Sequence, residues 1–394
     1  MRRRRSDYDI AVIGGGPAGL SFVRQLDGTD LRLLVVEKKT AATLKNPAYD
    51  GREIALTHPS HRIMQKMGLW DEIPRDAVSR IIGAAVFNGD LTQPLSFDAA
   101  RAGKENLGYM VSNQNIQKAV FAAVSRQENV TLAAGTSVTR ISTDDKAATL
   151  LLNSGQRVTA RLAIAADSRF SAARDMMGIA ASRRDFGRSA IVCRMSLEHD
   201  HDGIARECFF YDRTLAVLPL GPKSCSVVLT VTQREAAAVL AQPPKAFGAD
   251  VAQRISNAFG RMKLDGALFS YPLVGIHADI FHARRFCLIG DAGVGMHPVT
   301  AHGFNLGLQG AVTLAHEIKQ AQRCGIDFSG EETLARYSRR HRAATLPMYY
   351  GTNLLVGVFT DATSRGKMAR KLFMGLGRGL PFVRQIIAGK LTGD

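Results

Sequence analysis

Cysteine is scarce in this sequence, with five residues among 394 and no CxxC pair. An odd number of cysteines without metal-ligand spacing is typical of reduced thiols, so the sequence predicts a cytoplasmic protein and no metal site. The motifs HExxH and GxSxG are also absent, which excludes their zinc and serine-nucleophile chemistry. The cysteines are Cys193, Cys208, Cys225, Cys287 and Cys324.

Long hydrophobic runs are missing as well. No segment offers the roughly 18 uninterrupted apolar residues that a transmembrane helix needs. The arginine run at 2–5 is followed by Asp7 and Asp9, where a signal peptide would require an apolar core. We therefore expect a soluble protein or one attached to the inner face of a membrane from the cytoplasmic side.

Acidic residues are few relative to basic ones, 35 against 51, which leaves a net charge of +16. Such an excess attracts an anionic membrane surface, acidic proteins or nucleic acid, but it also describes a solvated surface. No motif interleaves aromatic with basic residues, so we expect no nucleic acid partner. Both the membrane surface and the solvated surface remain open.

The chain begins with an apolar segment, 8–13, that runs into the sequence GGGPAG at 14–19 and then into a helical pattern. In a strand-turn-helix unit of this kind, Gly14 permits the turn, Gly16 lets backbone amides approach a diphosphate, and Gly19 allows close packing of the helix. Pro17 suits the first helical turn and Ala18 follows it. The helix N-terminus would then face the diphosphate.

A second apolar strand, 33–36, ends at Glu37, an acid placed to bind the diol of an unphosphorylated ribose. Its neighbour Lys38 belongs to the same predicted binding segment. Strand, turn, helix, strand and acid in this order predict a site for FAD or NAD rather than for NADP.

A second strand-turn-helix pattern lies about 250 residues later, where the apolar residues 286–289 precede Gly290 and Asp291. An acid at the end of a strand can hold a hydroxyl of a ribityl chain, which FAD has and NAD lacks. The helix that starts near Gly303 would aim its positive end at the flavin pyrimidine, where reduced flavin carries negative charge. Phe304 and Asn305 follow in the same predicted flavin-binding segment.

These motifs together resemble the class A flavoprotein monooxygenases. The match extends to Arg52 in GREIAL, to Asp167 in AADS and to Gly290-Asp291. Within that family, the segments 165–171 and 295–308 look most similar to the UbiM-type demethoxyubiquinol hydroxylases of ubiquinone biosynthesis. The resemblance implies that Arg52 lies beside the flavin, and that Gln114 stands where relatives often use an arginine on the FAD phosphates. A surface role for Arg52 is the alternative.

The middle motif departs from the wider family, in which a glycine usually follows the aspartate. Here Ser168 follows Asp167. If this position needs a left-handed backbone, a side chain there costs roughly 1–2 kcal/mol. The serine therefore puts direct reduction of the flavin by NAD(P)H in doubt. The electron donor therefore stays open between NAD(P)H and another reductant. Asp167 could alternatively cap the helix that follows.

The pattern predicts an α/β fold with a Rossmann-like FAD-binding domain, an inserted antiparallel-sheet substrate domain and a C-terminal helical region. Apolar strands at 190–195, 215–218 and 227–231 follow one another at hairpin distances, as in an antiparallel sheet. We assign 1–79, 112–188 and 272–330 to the FAD-binding domain, 80–111 and 189–271 to the substrate domain, and 331–394 to the helical region.

The C-terminal region alternates apolar and basic residues and has an apolar patch at 353–359. This pattern describes either an amphipathic helix on an anionic bilayer or a helix packed on the domain with its charges solvated.

The resemblance implies a flavin-dependent hydroxylase that uses O₂, through a flavin C4a-hydroperoxide, on a polyprenylated quinol or phenol. His297 and His302 are candidates for orienting groups near the flavin, and both could equally be structural. Other proteins of ubiquinone biosynthesis are possible partners. Two other functions are open: hydroxylation of a soluble aromatic or polyketide, and prenyl binding on a fold without flavin.

Overall fold

The computed structural model describes residues 6–210, 212–297 and 302–360, together with Thr363 and Met368. Its strands are β1 (Tyr8–Ile13), β2 (Leu33–Glu37), β3 (Glu53–Leu56), β4 (Val78–Ile81), β5 (Gly83–Asn88), β6 (Asp90–Asp98), β7 (Gly108–Ser112), β8 (Val130–Ala134), β9 (Val138–Thr143), β10 (Ala148–Leu152), β11 (Arg157–Ala165), β12 (Ala181–Leu197), β13 (Ile204–Phe209), β14 (Thr214–Gly221), β15 (Ser224–Thr232), β16 (Met262–Ala278), β17 (His282–Ala283), β18 (Phe286–Leu288) and β19 (Val294–Gly295). Its helices are α1 (Pro17–Gln25), α2 (Ala41–Lys45), α3 (His58–Lys66), α4 (Asn113–Val124), α5 (Ala172–Met176), α6 (Gln233–Leu240), α7 (Pro244–Arg254), α8 (Gly303–Arg323) and α9 (Glu331–Thr360).

The first sheet contains the parallel strands of a nucleotide-binding fold, in the order β18-β11-β1-β2-β8. Strands β1 and β2 are rich in Val, Ile and Leu, and their residues are almost all buried because helices cover both faces. An antiparallel hairpin, β9 and β10, extends from β11. Since parallel strands end at the same edge, the loops that follow β1, β2, β11 and β18 lie side by side.

The second sheet has the order β19-β16-β12-β15-β14-β13-β5-β6 and is antiparallel except between β13 and β5. Successive side chains along each strand point to opposite faces of the sheet. Ile191, Cys193 and Met195 of β12 pack in a core with Phe247 of α7. Ala190 and Val192 join a separate apolar cluster on the opposite face.

A small third sheet, in the order β3-β7-β4, lies beside these two. The predicted domain boundaries at 188/189 and 271/272 lie inside the long strands β12 and β16. These two strands pair with each other on both sides of the boundaries. The division into domains therefore stays a prediction, whereas the α/β fold class with its two kinds of sheet is confirmed.

The described part of the C-terminal region is the helix α9, as predicted, and it contains Pro347. Within the predicted apolar patch, Asn353, Val356 and Phe359 are buried against the domain, while Leu354 is 70% exposed. The predicted amphipathic segment at 372–387 lies outside the described residues. Among the helices that the structure describes, none has the length and hydropathy needed to cross a membrane.

Candidate functional site

Three predicted motifs meet at the carboxyl edge of the first sheet. The Ala166 amide donates to the Ile13 carbonyl at 2.8 Å, which joins the ends of β11 and β1. The Ile289 amide donates to the Ala165 carbonyl at 2.9 Å, which joins the ends of β18 and β11. Segments separated by more than 120 residues in the sequence are thereby neighbours in space.

The glycines of the first motif have different surroundings. Gly14 has a φ of 112°, and a Cβ there would lie 2.5 Å from the Ala166 carbonyl oxygen. A Cβ on Gly19 would overlap the Gly14 carbonyl, so this glycine permits the close packing of α1 on the turn. Gly16 precedes Pro17, has an ordinary φ of −76°, and a Cβ there would meet no atom within 4 Å. Its lack of a side chain leaves open space at the N-terminus of α1.

Glu37 lies at the end of β2 and is largely buried. Its carboxylate accepts hydrogen bonds from the Gly15 amide at 2.6 Å and from the Lys39 amide at 2.9 Å. The acid is therefore held against the glycine turn, as the motif predicts. Lys38 is exposed beside it.

The first and third motifs are in direct contact. A Cβ on Gly290, which has a φ of 58°, would lie 2.7 Å from the Ala18 side chain. The next residue, Asp291, accepts hydrogen bonds from Arg169 at 3.0 and 3.3 Å. Arg169 follows the Asp167-Ser168 motif, so this ion pair joins that motif to the Gly290-Asp291 motif.

The helix α8 begins at Gly303, with His302 as its N-cap and no side-chain cap. In the part of the chain that the structure describes, a Cβ on Gly303 would meet no atom within 4 Å, as at Gly16. The five helices α2 to α6, by contrast, all have a Ser or Thr cap; α7, which begins after Pro243, does not. The backbone N–H groups at the starts of α1 and α8 therefore face open space beside a glycine, which suits an anionic ligand.

Asp167 and Ser168 are exposed at the end of β11. The Asp167 carboxylate accepts from the Ala173 amide at 3.3 Å, near the start of α5, so its capping role has a physical basis. Ser168 is not among the residues with a positive φ, and the strain that the sequence suggested is absent. Its hydroxyl instead accepts from the Phe170 amide.

Arg52 is half exposed and donates to Asp50 at 2.6 and 3.0 Å. Its guanidinium also lies 5.6 Å from the Tyr271 ring centre. Partial burial lowers the pKa of Arg52, but Asp50, with smaller contributions from Tyr271 and Asp291, raises it overall. Arg52 thus stays charged and lies within electrostatic range of the third motif.

Two predicted residues support neighbouring segments rather than open space. Gln114, at the start of α4, donates to the Pro47 carbonyl at 2.7 Å and so holds the loop that leads to Arg52. Asn305 is buried and bonds to Thr57 and to the Ala55 carbonyl, which ties α8 to β3. Phe304 packs against the core of the first sheet.

His297 is buried, with its ring 4.8 Å from the Phe186 ring. Burial, reinforced by Arg169, Arg188 and Arg184, lowers the pKa of His297 to about 4. The imidazole is therefore neutral at physiological pH and can orient a hydroxyl without adding charge.

Several residues of the site escape prediction from sequence. Arg169 pairs with Asp291, and the buried Arg174 donates to the carbonyls of Arg169 and Ala292 at 3.2 Å. Glu53 is buried between Arg194, at 2.7 Å, and the Tyr49 hydroxyl, at 3.0 Å, which connects β3 to β12. The signal for Arg169 is its place directly after Asp167-Ser168; the pairing of Glu53 with Arg194, 141 positions apart, has no local signal.

The residues present fit an FAD molecule. Gly16 and Gly303 lie at two helix N-termini without a side-chain cap, and among the described residues no atom lies where a Cβ would reach at either glycine. Glu37 places a carboxylate beside the first, and Asp291 follows Gly290, whose Cα lies 3.4 Å from where a Cβ on Gly307 of α8 would be. Near α1, the helix N-terminus would face the diphosphate and Glu37 would accept from the ribose. Near α8, the helix N-terminus would face the flavin and Asp291 would accept from the ribityl chain.

A family model described as "FAD binding domain" matches residues 7–346 of the chain. The chain belongs to this family. FAD is therefore its cofactor, and the prediction of a flavin-dependent oxidoreductase is confirmed.

Named relatives give more detail. The chain is 41% identical over 389 residues to "Ubiquinone hydroxylase UbiM" of Neisseria meningitidis, covering 98% of this chain and 84% of the relative. It is 31% identical over 368 residues to "Ubiquinone hydroxylase UbiL" of Rhodospirillum rubrum, covering 93% and 85%. The fold is similar to the crystal structure of p-nitrophenol 4-monooxygenase PnpA from Pseudomonas putida, with a TM-score of 0.76, 20% identity, and coverage of 98% and 97%.

Proposed function

We propose that this protein is an FAD-dependent monooxygenase that uses O₂ to hydroxylate the ring of a polyprenylated ubiquinone precursor, similar to demethoxyubiquinol. The relatives named as ubiquinone hydroxylases support the substrate class. The observation that carries the site assignment is the open space at Gly16 and Gly303, beside two uncapped helix N-termini. The soluble-aromatic alternative has no observation in its favour.

The residues would divide the binding of FAD between them. The amides at the start of α1 would hold the diphosphate and Glu37 the ribose, while Asp291 would accept from a ribityl hydroxyl. Arg169 would hold Asp291 in position through their ion pair, and the N-terminus of α8 would stabilise negative charge on the pyrimidine. Reduced FAD supplies the oxygen chemistry when it is bound.

The protein also has to orient the ring and exclude water. Neutral His297 would hold a ring hydroxyl by a hydrogen bond and does not need to transfer a proton. Phe186, Phe269 and Tyr271 belong to an apolar cluster on the face of the second sheet near Arg52, and they would exclude water from the ring. The electron donor is NAD(P)H or another reductant.

The test is direct hydroxylation by the purified, FAD-loaded protein. We expect it to absorb near 450 nm and to add one oxygen atom, labelled from ¹⁸O₂, to a short-chain demethoxyubiquinol analogue, as detected by mass spectrometry. Deletion of the gene should cause a quinone intermediate to accumulate in the host. An unchanged quinone profile in the deletion strain, together with no labelled product, would contradict the proposal.

We also propose that the protein attaches peripherally to the inner face of an anionic membrane, where such a substrate resides. Tyr350 and Leu354 support this proposal because they are 60% and 70% exposed on α9, within a stretch, 343–360, that has no charged residue. Flotation with anionic liposomes should recover the protein at low salt and lose it at high salt. Failure to bind anionic vesicles at low salt would end this part of the proposal and leave the chemistry unaffected.

A further inference from the structure

One row of residues crosses the second sheet in direct register. Each member is the paired neighbour of the next, so their side chains share one face. The row consists of Phe269, Val192, Val228, Ala216, Glu207 and Val86, from β16, β12, β15, β14, β13 and β5. Its only polar side chain is Glu207.

The packing of β13 shows which face this is. Cys208 lies in the core under α6 and α7. Phe209, on the other face, packs against Phe359 of α9, with 4.3 Å between ring centroids. Because side chains alternate along a strand, Glu207 shares the face of Phe209. The carboxyl therefore points toward α9 and away from the core under α6 and α7.

The other end of the row lies beneath the Arg52 loop. A Cβ on Gly51 would lie 2.5 Å from the Phe269 ring and 2.8 Å from the Val192 side chain. From Val192 to Glu207 is three strand spacings, or about 14 Å. One substituted ring and an extended glutamate side chain can span this distance.

The Glu207 side chain forms no hydrogen bond or ion pair with the residues that the structure describes, although it is partly accessible. Burial among apolar neighbours raises the pKa of Glu207 to about 8. A carboxyl that is mostly protonated at neutral pH can both donate and accept a hydrogen bond. It presents this capacity to the same face that the Arg52 loop covers at the other end of the row.

We propose that Glu207 is a specificity-determining residue that hydrogen-bonds an oxygen substituent of a neutral, lipophilic ring lying on the apolar row. This inference rests on the proposed function and adds a determinant of substrate choice to it. The row contains no cation that could neutralise a ring carboxylate, so a charged ring would lose its hydration there without gaining a counter-ion. A neutral phenol or quinol is accepted, and a soluble aromatic acid is rejected.

The experiment compares two ligands, a prenylated phenol and its methyl ether, whose binding to the FAD-loaded protein is measured from the change in flavin absorbance. The wild type should bind the phenol about tenfold more tightly than the ether, because the phenol can both donate to and accept from the Glu207 carboxyl, whereas the ether can only accept. Glu207→Leu should remove this preference, and Glu207→Gln, which keeps both donor and acceptor, should retain most of it. Glu128→Leu, at an exposed carboxylate, is the control and should match the wild type.

Glu207→Asp is a second variant in case Glu207→Leu misfolds. It keeps a carboxyl but shortens the side chain, so it too should lose the preference for the phenol. Retention of the full phenol preference by both Leu and Asp variants with normal flavin content would overturn the role of Glu207. Failure of the wild type to bind either ligand would instead contradict the proposed function itself, and this inference with it.

Discussion

Individual glycines in this protein serve two distinct purposes. Gly14 and Gly19 are needed by the protein itself, because a Cβ would collide with the backbone at each position. Gly16 and Gly303 are not, because a Cβ at either position would meet no atom of the described residues within 4 Å. The first pair determines the shape of the turn, and the second pair keeps room for the ligand.

A pair of alanine substitutions separates these purposes. Gly16→Ala should leave the free energy of unfolding of the FAD-free protein within about 1 kcal/mol of wild type, since only the helix cap changes. It should weaken FAD binding at least about tenfold, because the methyl group occupies the path of the diphosphate. Titration of FAD into the stripped protein and urea unfolding measure the two effects.

Gly14→Ala serves as the contrasting variant. Its φ of 112° and its contact with the Ala166 carbonyl should destabilise the FAD-free protein by several kcal/mol. Equal loss of stability in both variants would show that Gly16 is structural.

At the level of elements, α8 and α9 are joined by complementary small and large groups. The His341 ring of α9 fills the space over Gly310 of α8. Glu317 of α8 is buried and pairs with Arg336 and Arg340 of α9. Since α8 begins at the flavin site, this packing determines where Gly303 lies.

Two helical glycines therefore give opposite expectations. Gly310→Ala would place a Cβ 2.6 Å from the buried His341 ring and should destabilise the protein by about 1–3 kcal/mol. Gly351→Ala in α9 meets no atom within 4 Å and should stabilise it by about 0.5–1 kcal/mol through the gain in helix propensity. Urea unfolding of the two variants beside wild type measures both, and a stabilising Gly310→Ala would show that the helices can move apart at no cost.

For the whole molecule, buried histidines make the free energy of unfolding decrease as the pH falls. Burial lowers the pKa of His341 to about 4, with a contribution from His277, and burial with nearby arginines does the same for His297. In the unfolded chain both titrate near 6.5. The unfolded state therefore takes up protons first as the pH falls.

The sign follows from this difference. The free energy of unfolding should be independent of these groups above about pH 7 and should fall between about pH 6.5 and 4, by up to about 3 kcal/mol for each histidine. His341→Phe should remove part of the histidine-dependent decrease, to which His61, His277 and His297 also contribute, and His199→Gln, at an exposed position, is the control. An unchanged acid dependence in His341→Phe, measured by urea unfolding across this range, would contradict the prediction.

The sequence by itself determined the fold class and the cofactor. The strand, glycine turn, helix and acid follow one another within about 30 residues. Their residue types are set by local backbone geometry, so the sequence alone identifies them. The spacing of the 14–19 and 290–303 motifs likewise predicted two helix N-termini for one extended ligand. These are short-range properties, so they survive in the linear pattern.

Only the tertiary structure decided which distant residues meet. Arg169 joins Asp291 across 122 positions, and Arg194 joins Glu53 across 141. The direction of Asn305 toward β3 and the alignment of Glu207 with Val192 depend on strand register, which is set by packing over the whole sheet. Long-range pairing of this kind is fixed by which surfaces bury each other, and no window of the sequence contains both partners.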